Sequence, residues 1–439
     1  MSERPPNILF LMADQHRHDV AGFMNNPVVR TPCLDRLAAG GVVFDNAYTP
    51  SPVCVPGRQC MMSGQLPMSN GCYRYGDDLP PFSPTFARQL SLAGYQTVCC
   101  GKLHHQGADQ MQGWMQRIGK DQHVEPPSLG EEAAQRHRHY NSAKPPSWDL
   151  AKELRMAGPG RNYFGINDRY TLRGALEFIE ERFCGTNYDR FDHRPLLLKV
   201  SMQQPHYPFI CSREKFNYYI NRVRPYPDRS NIVDHFFARD WTHEPPVTER
   251  EIQRALAAYY GMVEEVDEQF GEVLRALEEA GQDLDDWIIV YTSDHGEMLG
   301  EFNTWWKLKF YEGSVRVPLF IRAPRLFEGS RRVAHNVSLC DLYATLCEIA
   351  GASVPGDRDS RSLLPLLEGN PSGWPDTAVS AYADHAMVKK GPWKYWALAP
   401  DREVLFNLEE DPHEENDLAS LPEYAATLAE CRELLQSHS

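Results

Sequence analysis

Six short clusters in this 439-residue chain hold side chains whose types and spacing could do chemistry. "ADQ" at 13–15 and "SDH" at 293–295 offer the oxygens of Asp14, Gln15 and Asp294 and one nitrogen from His295. A ligand set dominated by oxygen suits a hard divalent cation, and one imidazole widens the choice toward manganese. The plain alternative is that each aspartate is a turn residue ending a strand. Cys54 lies in "SPVCVPGRQC", ahead of a helix predicted to begin near Pro56 or Gly57. A helix N-terminus stabilises a thiolate, an alkoxide or a bound oxyanion, and Arg58 in its first turn could add a bidentate contact. A buried inert thiol is the alternative there. "GKLHH" places Lys102, able to neutralise a charged oxygen, beside His104, and "PHYPF" holds His206 between two prolines, which suits a fixed general acid. "WWKLKF" carries Lys307 and Lys309, one expected to point inward and the other to lie on the surface.

The elements around these clusters alternate. Strands are predicted at 7–15, 42–48, 95–100, 195–202, 287–297 and 316–322. Helices are predicted at 32–39, 84–93 with Ser83 as cap, 169–183, 341–350, and from a Thr248/Glu251 capping box to Ala280, where Gly281 stops the helix. Alternation of this kind predicts an α/β fold, a large mostly parallel sheet sandwiched by helices, and ligands collect beyond the carboxyl ends of such strands. Asp14, Lys102, His104, His206 and Asp294 all follow strands in that sense. Segments 106–165 and 210–246 read as insertions, the first able to shape a substrate pocket. From 370 the pattern changes to short strands and a final helix at 421–436, so the expected organisation is a domain over 1–369 and a small C-terminal α+β subdomain over 370–439. The acidic run at 409–417 reads as solvated surface.

Composition narrows the function. A formal charge of −15 without a basic block speaks against nucleic acid and long polyanions, so an anionic substrate should be small and held by a few local cations. No apolar run reaches the length of a membrane span, and "MSERPPNILFLMA" lacks the features of an export signal, so the cytoplasm is the expected compartment. Eleven cysteines without a CxxC pair argue against a disulfide framework or zinc ribbon.

Taken together, the clusters resemble the type I sulfatases of the alkaline phosphatase superfamily. Cys54-Val55-Pro56-Gly57-Arg58 matches that family's Cys-x-Pro-x-Arg element, with Gly57 where Ser or Ala is usual, and Ser63-Gly64 stands where its Thr-Gly follows. The match extends in order through "ADQ", "GKLH", "PHYPF", "SDHGEMLGE", "WWKLKFYEGSVRVPL", "DLYATL" and "LFNLEEDPHEENDLA". The resemblance implies a formylglycine made from Cys54 by a formylglycine-generating enzyme, and one divalent metal, Ca2+ before Mn2+ or Mg2+, held by Asp14, Gln15, Asp294 and His295. It also implies Arg58, Lys102 and His104 around the formylglycine, and His206 and Lys307 on the sulfate. The implied reaction is hydrolysis of a sulfate ester through a sulfo-enzyme intermediate, with His206 as acid and His104 as base; the expected cytoplasmic setting and the negative net charge narrow the substrate to a small monoester, a sulfated mono- or disaccharide. Gln15 and His295, in place of the commoner Asp and Asn, are similar to choline sulfatases and phosphonate monoester hydrolases. Choline sulfate or a phosphonate monoester or phosphodiester is therefore the alternative substrate. A homo-oligomer is compatible with all of these readings; a silent binding protein and a cysteine hydrolase are the competing classes.

Overall fold

The structure is a computed structural model that describes residues 5–119, 121, 150–185, 194–227, 229 and 247–438. Its strands are β1 (Asn7–Ala13), β2 (Val42–Tyr48), β3 (Gln96–Gly101), β4 (Gln116–Ile118), β5 (Gly158–Pro159), β6 (Leu196–Ser201), β7 (Ile210–Cys211), β8 (Trp287–Ser293), β9 (Arg316–Arg322) and β10 (Arg331–Ser338), followed by β11 (Thr377–Tyr382), β12 (His385–Lys390), β13 (Trp393–Leu398) and β14 (Arg402–Asn407). Eight of them form one sheet in the order β10-β2-β9-β8-β1-β6-β3-β4, and β11 to β14 form a second, antiparallel sheet. The short β5–β7 pair stands apart from both.

The apolar run "ILFLMA" of β1 is fully buried because both faces of the large sheet are covered. Helices Tyr163–Phe183 and Glu249–Glu279 cover one face, and Phe86–Leu92 and Asp341–Ile349 cover the other. Register then decides what meets at the edge. Ala13 lies beside Ser293, Met12 beside Ser201, and Ser201 beside Gly101, all in parallel pairings. The residues that follow, Asp14, Asp294, Met202 and Lys102, therefore leave the sheet at one place.

The long helix has the expected Thr248/Glu251 capping box, and Gly281 takes the left-handed conformation just past its end. Four details differ from expectation. β9 runs antiparallel to both β8 and β2, because the connection from β8 holds no helix longer than four residues to carry the chain back for a parallel pairing. Thr85, not Ser83, caps the helix at Phe86, accepting from the Arg88 amide at 3.1 Å. The helix expected at 169 already starts at Tyr163, where the Asn162 side chain accepts from the Gly165 amide at 2.6 Å. Of the two expected insertions, the first contributes β4 and β5, the helix Leu150–Met156 and the start of that earlier helix, the second β7 and the helix Arg213–Tyr219. Residues 120, 122–149, 228 and 230–246 of these segments lie outside the described residues.

The acidic run is not all solvated. Glu414 is buried, and its carboxylate takes Lys394 Nζ from β13 at 2.7 Å and the Glu312 amide at 2.7 Å. Lys394 also reaches Glu312 Oε1 at 2.7 Å, so one buried ammonium ties the antiparallel sheet and the acidic tail to the segment that follows Lys307. Replacing Lys394 by Met strands two carboxylates in a dry environment. Lys394→Met should cost about 3–5 kcal/mol in urea unfolding; a loss below about 1 kcal/mol would show that these carboxylates do not depend on the ammonium.

Candidate active site

Asp14 and Asp294 each end a central strand, and Arg58 spans them. Its Nε donates to Asp294 Oδ2 at 2.7 Å and its Nη2 to Asp14 Oδ2 at 3.2 Å. Its Nη1 donates to the Lys102 carbonyl at 2.9 Å and to Ser201 Oγ at 3.0 Å. Arg58 thus directs four hydrogen bonds at the ends of β1, β3, β6 and β8. Lys102 Nζ forms a further ion pair with Asp14 Oδ2. Burial favours the neutral acid, but Lys102 and Arg58 outweigh it and hold Asp14 well below the usual carboxylate range.

One oxygen of Asp14 remains. Asp14 Oδ1 and His295 Nε2 are both buried without a hydrogen-bond partner among the described residues, and they face each other at 4.0 Å. His295 donates its Nδ1–H to the Gly296 carbonyl at 3.0 Å, and burial pulls the imidazole down to about 4, so Nε2 presents a lone pair. Asp294 Oδ1 lies 3.6 Å from the same nitrogen. One ligand atom from each of Asp14, Asp294 and His295 falls within 4.8 Å of the others. Lone pairs packed against each other in a dry site are unfavourable until a cation comes between them, so these residues fit a divalent metal. Gln15 lies beside them in the left-handed conformation (φ 67°), its Oε1 accepting from Lys307 Nζ at 2.7 Å.

Lys307 also donates to His206 Nε2 at 2.8 Å, while His206 Nδ1–H donates to the Tyr207 carbonyl at 2.7 Å. Burial, then Lys307 and Lys102, push this imidazole well below its ordinary pKa. Both Lys307 and Lys309 are buried, against the expectation of one at the surface, because Lys309 turns back on the carbonyls of Trp305 and Lys307, each at 3.4 Å.

Cys54 opens the buried helix Cys54–Ser63, two residues earlier than expected, with Val53 as its cap. Among the described residues no base hydrogen-bonds its thiol, and burial raises its pKa although Lys307 and Lys102 pull the other way. A resting thiolate for direct cysteine hydrolysis is thus disfavoured. Gly57 is there for space: a Cβ would stand 2.9 Å from the Ser51 carbonyl oxygen and 3.3 Å from that of Asp294.

Several residues of the site carried no signal in the sequence. Tyr75 is 45% exposed at its ring, yet its hydroxyl lies 3.2 Å from His104 Nε2. Asp121 accepts the backbone amides of Leu103 and His104, at 3.0 and 2.9 Å. Glu297, inside the "SDHGE" match, accepts from Gln15 Nε2. No periodicity marks a lone tyrosine in a loop; only the fold brings it there. Asp384 and His385 instead meet the Arg74 guanidinium and the Ala399 amide.

A family profile described as "Sulfatase" matches residues 6–352, and one described as "N-sulphoglucosamine sulphohydrolase, C-terminal" matches 300–439. A choline-sulfatase of Rhizobium meliloti (strain 1021) is 31% identical over 468 residues, covering 100% of this chain and 88% of its own. An arylsulfatase of Clostridium perfringens (strain 13 / Type A) is 28% identical over 469 residues, covering 98% and 93%. Among solved structures, a protein in complex with its substrate D-glucosamine-2-N,6-O-disulfate superposes with a TM-score of 0.77 at 22% identity over 99% of this chain and 97% of its own. A phosphonate monoester hydrolase of Agrobacterium radiobacter superposes with a TM-score of 0.76 at 24% identity over 99% and 95%.

The cluster makes a direct prediction. Ca2+ at about a hundred times its Kd should stabilise the chain by about 2.7 kcal/mol, and His295→Ala should abolish most of that gain. An equal thermal shift in both proteins would place the cation elsewhere.

Proposed function

The chain belongs to the sulfatase family and is a sulfuric ester hydrolase, and we propose that it cleaves a small sulfate monoester, a sulfated mono- or disaccharide, using a formylglycine made from Cys54. The observation that carries this reading is the position of Cys54. It opens a buried helix, within the electrostatic reach of Lys102, Lys307, Asp14 and Asp294, with no base on its sulfur. A cysteine placed so serves poorly as a nucleophile itself and well as the precursor of one.

Hydrated formylglycine would supply two geminal hydroxyls, one to attack sulfur and one to expel sulfate afterwards. A divalent cation held by Asp14, Asp294 and His295, with Gln15 alongside, would supply the charge that favours an ionised oxygen at neutral pH, and the oxygen-rich set favours Ca2+. The chain's own groups do the rest. Lys102, Lys307 and the first-turn amides of the Cys54 helix oppose the sulfate oxygens from fixed positions. The leaving-group proton belongs to the Lys307–His206 pair, which shares a hydrogen bond of 2.8 Å. His104, steadied through its backbone by Asp121 and at Nε2 by Tyr75, is the base for the second half. Because Cys54 is only 2% exposed, a formylglycine-generating enzyme has to meet this segment before the fold closes. All eleven cysteines are free, which suits a reducing compartment such as the cytoplasm, and no helix among the described residues is long and apolar enough to cross a membrane.

Choline sulfate is the second reading, favoured by the choline-sulfatase likeness. Against it, Tyr207 stacks on Trp306 at 4.7 Å and the His206 ring packs against Phe164 at 5.1 Å, so these aromatics are occupied with one another and with the catalytic histidine. Rates on sulfated sugars, choline sulfate, an aryl sulfate and an aryl phosphonate, with protein of known formylglycine content, separate the readings; a phosphonate preference would reject both sulfate assignments.

Two outcomes are expected. Peptide mass of fully active protein should show Cys54 without its sulfur, and intact cysteine at full activity would end the mechanism. His206→Ala should slow alkyl sulfates by about two orders of magnitude more than aryl sulfates; equal losses would remove the Lys307–His206 pair as the acid.

A further inference from the structure

Glu297 is a buried carboxylate that the reaction as described leaves idle. It lies at 0% exposure, and among the described residues no cation approaches it within ion-pair distance. A lone buried carboxylate is expensive to keep without hydrogen-bond partners.

Its Oε2 accepts from Gln15 Nε2. Its Oε1 accepts from the Leu299 amide at 3.1 Å and from the Trp306 amide, the residue just before Lys307. Gln15 Oε1, at the other end of the same amide, accepts from Lys307 Nζ at 2.7 Å. The two ends of a glutamine amide are chemically opposite, and each neighbour admits only one of them. An ammonium can only donate, so the end toward Lys307 must be oxygen, and the other end is then the NH2 that donates to Glu297 Oε2. Gln15 has little freedom otherwise, since its backbone is in the left-handed region and its carbonyl accepts from Tyr259 Oη at 2.6 Å.

We propose that Glu297 is a positioning residue that locks the Gln15 amide with its oxygen toward the metal and sulfate side, and at the same time folds the loop that delivers Lys307. The inference rests on the metal-dependent reading above and goes beyond it. A divalent cation is served by an amide oxygen and not by an amide NH2, so the orientation Glu297 imposes decides whether Gln15 can be a ligand at all.

Glu297→Gln separates orientation from loop folding. Its side-chain oxygen can still accept from Leu299 and Trp306, but its NH2 now confronts the NH2 of Gln15. Either that clash persists or Gln15 turns over and sets its NH2 against Lys307. Gln15→Glu combined with Glu297→Gln repairs the pattern, since a carboxylate at 15 accepts from both neighbours. Calorimetric titration with Ca2+ and with Mn2+ should show E297Q binding at least about tenfold more weakly than wild type at an unchanged melting midpoint, with the exchanged double variant within about threefold of wild type or tighter. E297Q binding like wild type, or a double variant no better than E297Q, overturns the proposal. If E297Q alone does not fold, recovery of folding and metal binding in the exchanged variant supports the proposal, and failure to recover overturns it. Restored binding in a protein that hydrolyses none of the sulfate esters would uphold Glu297 and reject the substrate reading; a wild type that binds neither ion would overturn both.

Discussion

The guanidinium of Arg58 is the constraint on which the site depends. Two buried aspartates at the ends of adjacent strands repel each other, and leaving them so would cost several kcal/mol per ion in a dry interior. Arg58 answers with a planar fork that takes one oxygen from each, at 2.7 and 3.2 Å, and spends its remaining reach on the Lys102 carbonyl and Ser201. A lysine could not do this, because its point charge cannot hold two carboxylates and two further acceptors in fixed directions. The consequence is selective. The Oδ2 oxygens of both aspartates are committed to Arg58, and Asp294 Oδ1 to the amides of Gln15 and His295, whereas Asp14 Oδ1 is left to face His295 Nε2. Structure and chemistry thus divide one carboxylate between them.

The same economy holds one layer out. Glu297 binds Gln15 with one oxygen and the Lys307 loop with the other, and Glu312 and Glu414 share the buried Lys394 so that the C-terminal sheet braces the segment just beyond that loop. Gln15 and Glu297 stand 282 residues apart in the chain, and Lys394 and Glu312 stand 82 apart. That explains why the cations near Cys54 are placed by buried carboxylates rather than by local helix or strand geometry.

This is also where legibility in the sequence ran out. The sheet could be read because buried strands such as β1 are continuous apolar runs between turn signals, and Asp14, Lys102, His206 and Asp294 could be grouped because they follow such strands. Local patterns also revealed the long helix, whose capping box and terminal glycine are short-range features. The direction of β9 was hidden, since a strand reads the same whichever way it runs and only the missing crossover helix decides. The bridge that Arg58 makes between Asp14 and Asp294 could not be read, because adjacency to Cys54 in sequence says nothing about which of several buried anions a guanidinium will reach. Tyr75, Asp121 and Glu297 had no pattern to declare them; their partners lie on other segments. Glu414 was hidden by its company, a single buried carboxylate within an acidic run whose other members are mostly solvated.

Charge makes the last connection, between metal and substrate. Arg58, Lys102 and Lys307 are balanced by Asp14, Asp294 and Glu297, all of them buried, in a chain of formal charge −15. A sulfate ester entering that balanced interior would bring an uncompensated negative charge, and distant charges of the chain would oppose it too, weakly beyond the screening length of about 8–10 Å. A divalent cation held by Asp14, Asp294 and His295 would reverse the sign of the site. Cation and anion must then favour each other, and the coupling is reciprocal: whatever tightens one tightens the other. A single sulfate is matched by such a site, whereas each further anionic group of a long polymer would have to be left in the repulsive field outside. The small monoester proposed as substrate is compatible with that balance.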